Sequence, residues 1–156
     1  MTTARPNVEF ALLPIAELKA HEEYEEENVV ELIEEIRRAG AFADPIWVAR
    51  GSLVILNGHH RVEAARRLGF ARVPAFVLDY ESDLVSLEPW RPGLPITKAE
   101  VVDRAQKGEL FPPKTTRHRV RIELAADPIP LEQLGAVGPR GEAASRQAKR
   151  SRSRSP

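Results

Sequence analysis

The chain contains no cysteine. That excludes a disulfide framework and any thiolate metal site, and makes a reducing compartment the default expectation. Aromatic residues are scarce at 6%, and no apolar run approaches the length needed to cross a bilayer. The opening residues, Met1 to Pro6, are not followed by an apolar signal segment. The expected class is therefore a cytoplasmic protein without membrane partners. Net charge is absent too, but the zero hides an asymmetry. Residues 146–156 hold five basic side chains and no acidic one, so the rest of the chain carries −5. An acidic body lacks the clustered Lys and Arg that a broad phosphate-backbone footprint on nucleic acid requires. At most the basic end would add weak nonspecific contacts, and its Ser/Arg bias reads first as a solvated tail.

The length of 156 residues and a hydrophobic fraction of 42% allow one domain with an ordinary core, while 13 prolines imply many irregular connections. Domain limits of 1–135, with a disordered basic tail over 136–156, are expected. Phe10 to Pro14 suggests a first strand, followed by a turn through Leu18. Val29, Leu32, Ile33 and Ile36 share one face of a helix, with glutamates opposite and Gly40 as its left-handed stop. Pro45–Ala49 and Leu53–Leu56 read as a hairpin turned at Arg50-Gly51-Ser52. A short helix burying Val62, Ala65 and Leu68 should stop at Gly69, and Val73–Leu78 is a strand whose Pro74 favours an edge or a strand start. Residues 81–96 are poorly patterned. Thr97-Lys98-Ala99-Glu100 is a capping box, so a helix should run to about Lys107 and end at Gly108. Val120–Leu124 alternates and reads as a last strand.

The most informative string is Asn57-Gly58-His59-His60-Arg61, placed between the apolar run ending at Leu56 and the short helix. Strand, tight polar turn, then helix start is a seat for phosphate, because the first helical N–H groups are unsatisfied and carry the positive end of the dipole. Taken alone, such a turn is more often a solvated connection. His59 and His60 point about 100° apart on a helix, so they cannot chelate one metal from a shared face. Two further groups belong to the same chemistry. Glu22 and Glu23, after His21, are candidates for a general base or a magnesium ligand, against the plainer reading of an acidic helix start. Lys114-Thr115-Thr116-Arg117-His118 follows a rigid Pro-Pro and supplies two cations, two hydroxyls and an imidazole. Trp47 reads as a packing residue. Trp90, in a proline-rich stretch, is the better ligand wall, and Arg91 and Lys98 are further cations.

Residues 54–69 resemble the phosphate-binding box of the ParB/sulfiredoxin-like superfamily, in which a Gly-x-x-Arg-x-x-Ala core opens a helix. His21-Glu22-Glu23, the Gly-His-His-Arg turn, Val73-Pro74-Ala75 with Asp79-Tyr80, Thr97-Lys98 and Leu110–His118 (LFPPKTTRH) occur in the order found in the free L-serine kinase family. The resemblance spans about residues 10–120. It implies an α/β (α+β) ParB/sulfiredoxin-like single domain, a small mixed sheet flanked by helices. It also implies transfer of a phosphoryl group from ADP or ATP, with Mg2+, to the hydroxyl of free L-serine or a similar amino acid, giving O-phosphoserine. By matching position, Glu22 and the residue at 57 would be catalytic. Gly58, His59, His60 and Arg61 would hold the nucleotide phosphates. Lys114, Thr115, Thr116, Arg117 and His118 would hold substrate and phosphate. The family usually carries aspartate where this chain has Asn57. An amide keeps the turn but loses the charge, so it is a poor magnesium ligand and takes no proton. The alternative is therefore a catalytically impaired ParB-like binder of nucleotide or phosphoserine, with a regulatory, DNA-associated role.

Overall fold

A computed structural model describes residues 8–89 and 96–137. Trp90, Arg91 and the basic end 138–156 lie outside the described residues. A four-stranded mixed sheet forms the centre, in the order β1-β5-β3-β4. Strand β1 (Val8–Pro14) runs antiparallel to β5 (Arg72–Leu78), β5 runs parallel to β3 (Ile46–Ala49), and β3 pairs antiparallel with β4 (Ile55–Asn57). Successive side chains of a strand point to opposite faces, and two cores follow from that alternation. On one face Ile46, Val48, Ile55, Val73 and Ala75 pack with Val29 and Ile36 of α1 (Glu26–Ala39) and with Val62 and Ala65 of α2 (His59–Arg67). On the other, Ala49, Val54, Leu56, Phe76 and Leu78 pack with Val101 and Ala105 of α3 (Lys98–Lys107), together with Tyr80, Val85 and Phe111. Trp47 packs against this second core, as its sequence context suggests.

Most of the expected elements stand where the pattern puts them. Helix α1 ends at Gly40 with φ 69°, and α3 is capped by the Thr97 side chain accepting from the Glu100 N–H. Leu68, expected inside, is only half-buried. Pro74 does not mark an edge. It is the third residue of β5, which lies between β1 and β3, and it faces Leu12 just before parallel pairing with β3 starts at Ala75. The early position spares β3 an absent donor.

The expected strand over Val120–Leu124 is displaced. The strand there is β7 (Thr116–Val120), paired antiparallel with β6 (Val85–Pro89), a strand that the uneven pattern of 81–96 conceals. Three of the five residues of the presumed basic loop thus lie in a strand, and Ile122 is exposed. A second short ribbon joins β2 (Ala41–Phe42) to β8 (Ile129–Pro130), and Ala136 bridges Phe70, so described structure continues to Val137. Among the described residues no helix is long and apolar enough to cross a membrane.

Candidate active site

Three segments meet at the end of β4. The run from Asn57 into the first turn of α2 supplies the floor, the 20–25 connection supplies Glu22, and the turn into β7 supplies Lys114 to His118. Together they line a cleft of about 290 Å³ with Glu22, Leu56, Asn57, Gly58, His59, His60, Lys114, Thr116, Arg117 and His118. The turn at Gly58 is dictated sterically. Its φ is 111°, and a Cβ there would stand 2.6 Å from Ile46 Cγ2 and 2.9 Å from Ile46 Cβ. No side chain caps α2. Its first helical bond is from the Val62 N–H to the Gly58 carbonyl, so the amides of His59, His60 and Arg61 precede the helical ladder.

Glu22 is held from the β7 side. Its Oε2 accepts from the Lys114 N–H at 2.8 Å, and its Oε1 accepts from the Thr116 N–H at 3.1 Å and the Thr116 hydroxyl at 2.8 Å. Lys114 has φ 59°, a left-handed conformation that is strained for a lysine and serves here to present its N–H to the carboxylate. Glu23 is exposed and outside the cleft, so the structure separates the two carboxylates that sequence could only rank.

All four histidines of the chain gather here. The ring of His21 lies 4.6 Å from that of His59 and 5.8 Å from that of His118, centroid to centroid. Because a carboxylate only accepts, the single hydroxyl hydrogen of Thr116 goes to Glu22. His21 Nε2, at 2.9 Å, therefore donates to Thr116. Nδ1 of His21 makes no full hydrogen bond among the described residues. Burial lowers His21 to about 4, the Ile55 backbone offsetting part of the effect, and lowers His118 to about 3, with the His21 ring adding to it. Burial also drives His59 well below its ordinary value, and His60 below its own against the pull of Glu25 and Glu22. The rings are neutral at pH 7.

The other expected residues fall in three places. Thr115 turns its hydroxyl to the Pro112 carbonyl at 2.6 Å and does not line the cleft. Arg61 lies outside this cleft, in an adjoining pocket of similar volume with Asn28, Glu31 and Glu35 of α1. Its Nη2 reaches the Pro45 carbonyl and Asn57 Oδ1, both only at 3.5 Å, and its buried Nε has no partner among the described residues. Arg117 is exposed at the cleft and stands 3.9 Å from Glu88.

His21, Tyr80 and Lys98 complete the site from behind. The Tyr80 hydroxyl and His118 Nε2 share a hydrogen bond of 2.8 Å, with burial pushing the phenol upward, and Lys98 Nζ binds the carbonyls of Tyr80, Ser82 and Val85. The histidine of the His-Glu-Glu triplet was visible in the sequence, but only the three-dimensional approach of Thr116 gives it a role.

The ParB N-terminal domain family matches residues 3–86 of the chain, which takes in β1 through α2, β5 and the Asn57–Arg61 turn. The chain belongs to the ParB N-terminal domain family. Among curated relatives, this ParB domain is 31% identical over 104 residues to the ADP-dependent L-serine kinase SerK of Thermococcus kodakarensis, covering 64% of this chain and 43% of that protein. It is 35% identical over 91 residues to an ATP-dependent L-serine kinase of Desulfurococcus mucosus, covering 56% of this chain and 36% of that one. The chain thus spans less than half the length of these relatives. Its fold is shared with a free serine kinase, a glutamate-to-alanine variant in complex with ADP. There the TM-score is 0.72 at 19% identity, over 86% of this chain and 96% of the other.

Magnesium can be tested against the donors present. Among the described residues there is no group of three His, Asp or Glu able to hold a metal. Among the described residues Glu22 is the only carboxylate lining the cleft, and three donors already occupy it. Such a set fits magnesium only as an ion carried by phosphate oxygens with one protein carboxylate, the usual habit of nucleotide-bound Mg2+.

Proposed function

We propose that the protein phosphorylates the hydroxyl of free L-serine, or of a similar small amino acid, with ADP or ATP as donor, giving O-phosphoserine. The observation that carries this reading is the convergence of an anchored carboxylate, a helix N-terminus and a cationic turn on one cleft. The donor phosphates sit at Gly58 to Arg61, where the amides before the helical ladder face them. Lys114, Thr116 and Arg117 hold the acceptor side, with His118 and Thr115 supporting the turn. Glu22 takes the proton from the attacking hydroxyl as that oxygen bonds to phosphorus and the nucleotide leaves. Bound magnesium would neutralise charge on the phosphates, with Glu22 as its protein ligand. Positioning and charge compensation supply most of the rate in such transfers. An enzyme of this kind works in the cytoplasm, where its nucleotide is.

Asn57 favours a second reading. Its amide does not neutralise Arg61, so the site suits anion binding without requiring turnover. A regulator that binds nucleotide or phosphoserine, with DNA contacted through 146–156, would use the same cleft. The deciding assay supplies serine, magnesium and ADP or ATP to the wild type, Asn57→Asp and Glu22→Ala, and detects phosphoserine. Weak wild-type turnover, a gain on Asn57→Asp and loss on Glu22→Ala are expected. If the wild type binds no nucleotide and phosphorylates no hydroxylated amino acid, the kinase reading is finished.

A further inference from the structure

The 20–25 segment has no regular structure of its own, yet it carries Glu22 at the cleft. Its backbone is fastened on two sides. Toward β7, the Glu23 N–H donates to the Phe111 carbonyl and the Phe111 N–H to the His21 carbonyl, both at 2.8 Å. Toward α2, the His21 N–H donates to His59 Nε2 at 3.2 Å and the Glu25 N–H to His60 Nε2 at 3.0 Å. Consecutive helical residues diverge by about 100°, which denies these rings a shared metal but lets them grip two points of one strap. The two points flank Glu22.

We propose that His59 and His60 are positioning residues for Glu22, their Nε2 atoms accepting the His21 and Glu25 N–H groups and so indexing the carboxylate to the start of α2. This rests on the phosphotransferase reading and adds to it. If the phosphates sit at the first turn of α2, the strap sets the distance between base and phosphorus with one rigid element as reference. A ring that accepts at Nε2 carries its proton on Nδ1, and it must be neutral to do so. Burial lowers the basicity of both rings, in agreement with that state.

The test compares His59 and His60 replaced by Leu, Asn and Gln in the full chain. A Gln carboxamide oxygen reaches roughly the place of Nε2, an Asn oxygen falls short of it, and Leu offers no acceptor. Two quantities are read: kcat against nucleotide KM, and amide hydrogen exchange over 21–25 with β5 as internal control. Leu and Asn should lower kcat about 10–100-fold, the cost of a misplaced reacting group, with KM for nucleotide changed less than about threefold. They should speed exchange over 21–25 while β5 stays protected, and Gln should restore both. Should Leu unfold the chain, the Asn-against-Gln pair decides alone. If Gln is as impaired as Asn, or if KM alone rises and exchange over 21–25 is unchanged, the rings are phosphate ligands and the proposal is overturned. If the wild type makes no phosphoamino acid, the kinase reading fails by itself. The exchange comparison still decides whether the strap exists.

Discussion

Gly58 is where the residue scale is least forgiving. The left-handed φ of 111° strains any L side chain, and the space a Cβ needs is filled by Ile46, a fully buried core residue. The two costs add, because the first turns on backbone sterics and the second on core packing. Gly58→Ala is expected to lower stability by about 2–4 kcal/mol, read as a shift in the urea midpoint. A change under about 0.5 kcal/mol would show that Ile46 moves aside freely, and the steric account of the turn would be wrong. By resemblance this glycine belongs to the turn that nucleotide phosphates would approach. The structure adds that the approach it permits is first of all to the protein's own core.

Between elements, the contacts that build the site run through neutral imidazoles. His21 ties the 20–25 segment to β7 through Thr116, His59 and His60 tie it to α2, and His118 ties β7 to Tyr80. The folded-state values of His21 and His118, about 4 and about 3, lie below the usual 6.5. Between those limits the unfolded chain binds more protons than the folded one, so stability is full above about pH 6.5 and falls as the pH drops toward 4. A tenfold loss of proton affinity on folding is worth roughly 1.4 kcal/mol, so each ring costs a few kcal/mol of stability by the low end. Melting temperatures taken from pH 7 to pH 4 should therefore fall steeply below pH 6.5. A flat profile would mean that the rings are solvated and the cluster is not packed as described.

The same elements explain which parts were legible from residues alone. Helices α1 and α3 announce themselves by periodicity and caps, since those signals are local. Ribbon β6–β7 does not, because Val85 pairs with Val120 and Pro89 with Thr116, and no local pattern encodes a partner about thirty residues away. Alternation over Val120–Leu124 misled for the same reason: beyond Val120 it has no facing strand. In the site, the turn at 57–61 and the 114–118 turn were visible, and the resemblance paired them. The bond from the Lys114 N–H to Glu22 spans 92 positions and depends on a strained backbone that composition does not reveal.

At the scale of the whole molecule, the cleft lies where the two cores meet, with α1 and α2 on one side and α3 and the β6–β7 ribbon on the other. A ligand that touches Gly58–Arg61 and Lys114–Arg117 together bridges both halves, so its binding energy appears as global stability. At a hundredfold excess over its Kd a ligand adds about 2.7 kcal/mol. For a domain of this size that corresponds to a rise of about 5–10 °C in Tm. ADP or ATP with magnesium is expected to produce that rise, and Glu22→Ala, which removes the base and the magnesium's protein ligand but not the phosphate seat, should keep part of it. Duplex DNA should give no comparable shift. DNA binding that weakens steeply with salt, in the absence of any nucleotide shift, would instead locate the function in phosphate-backbone contacts. The acidic body argues against that outcome, since the excess of basic residues is confined to 146–156.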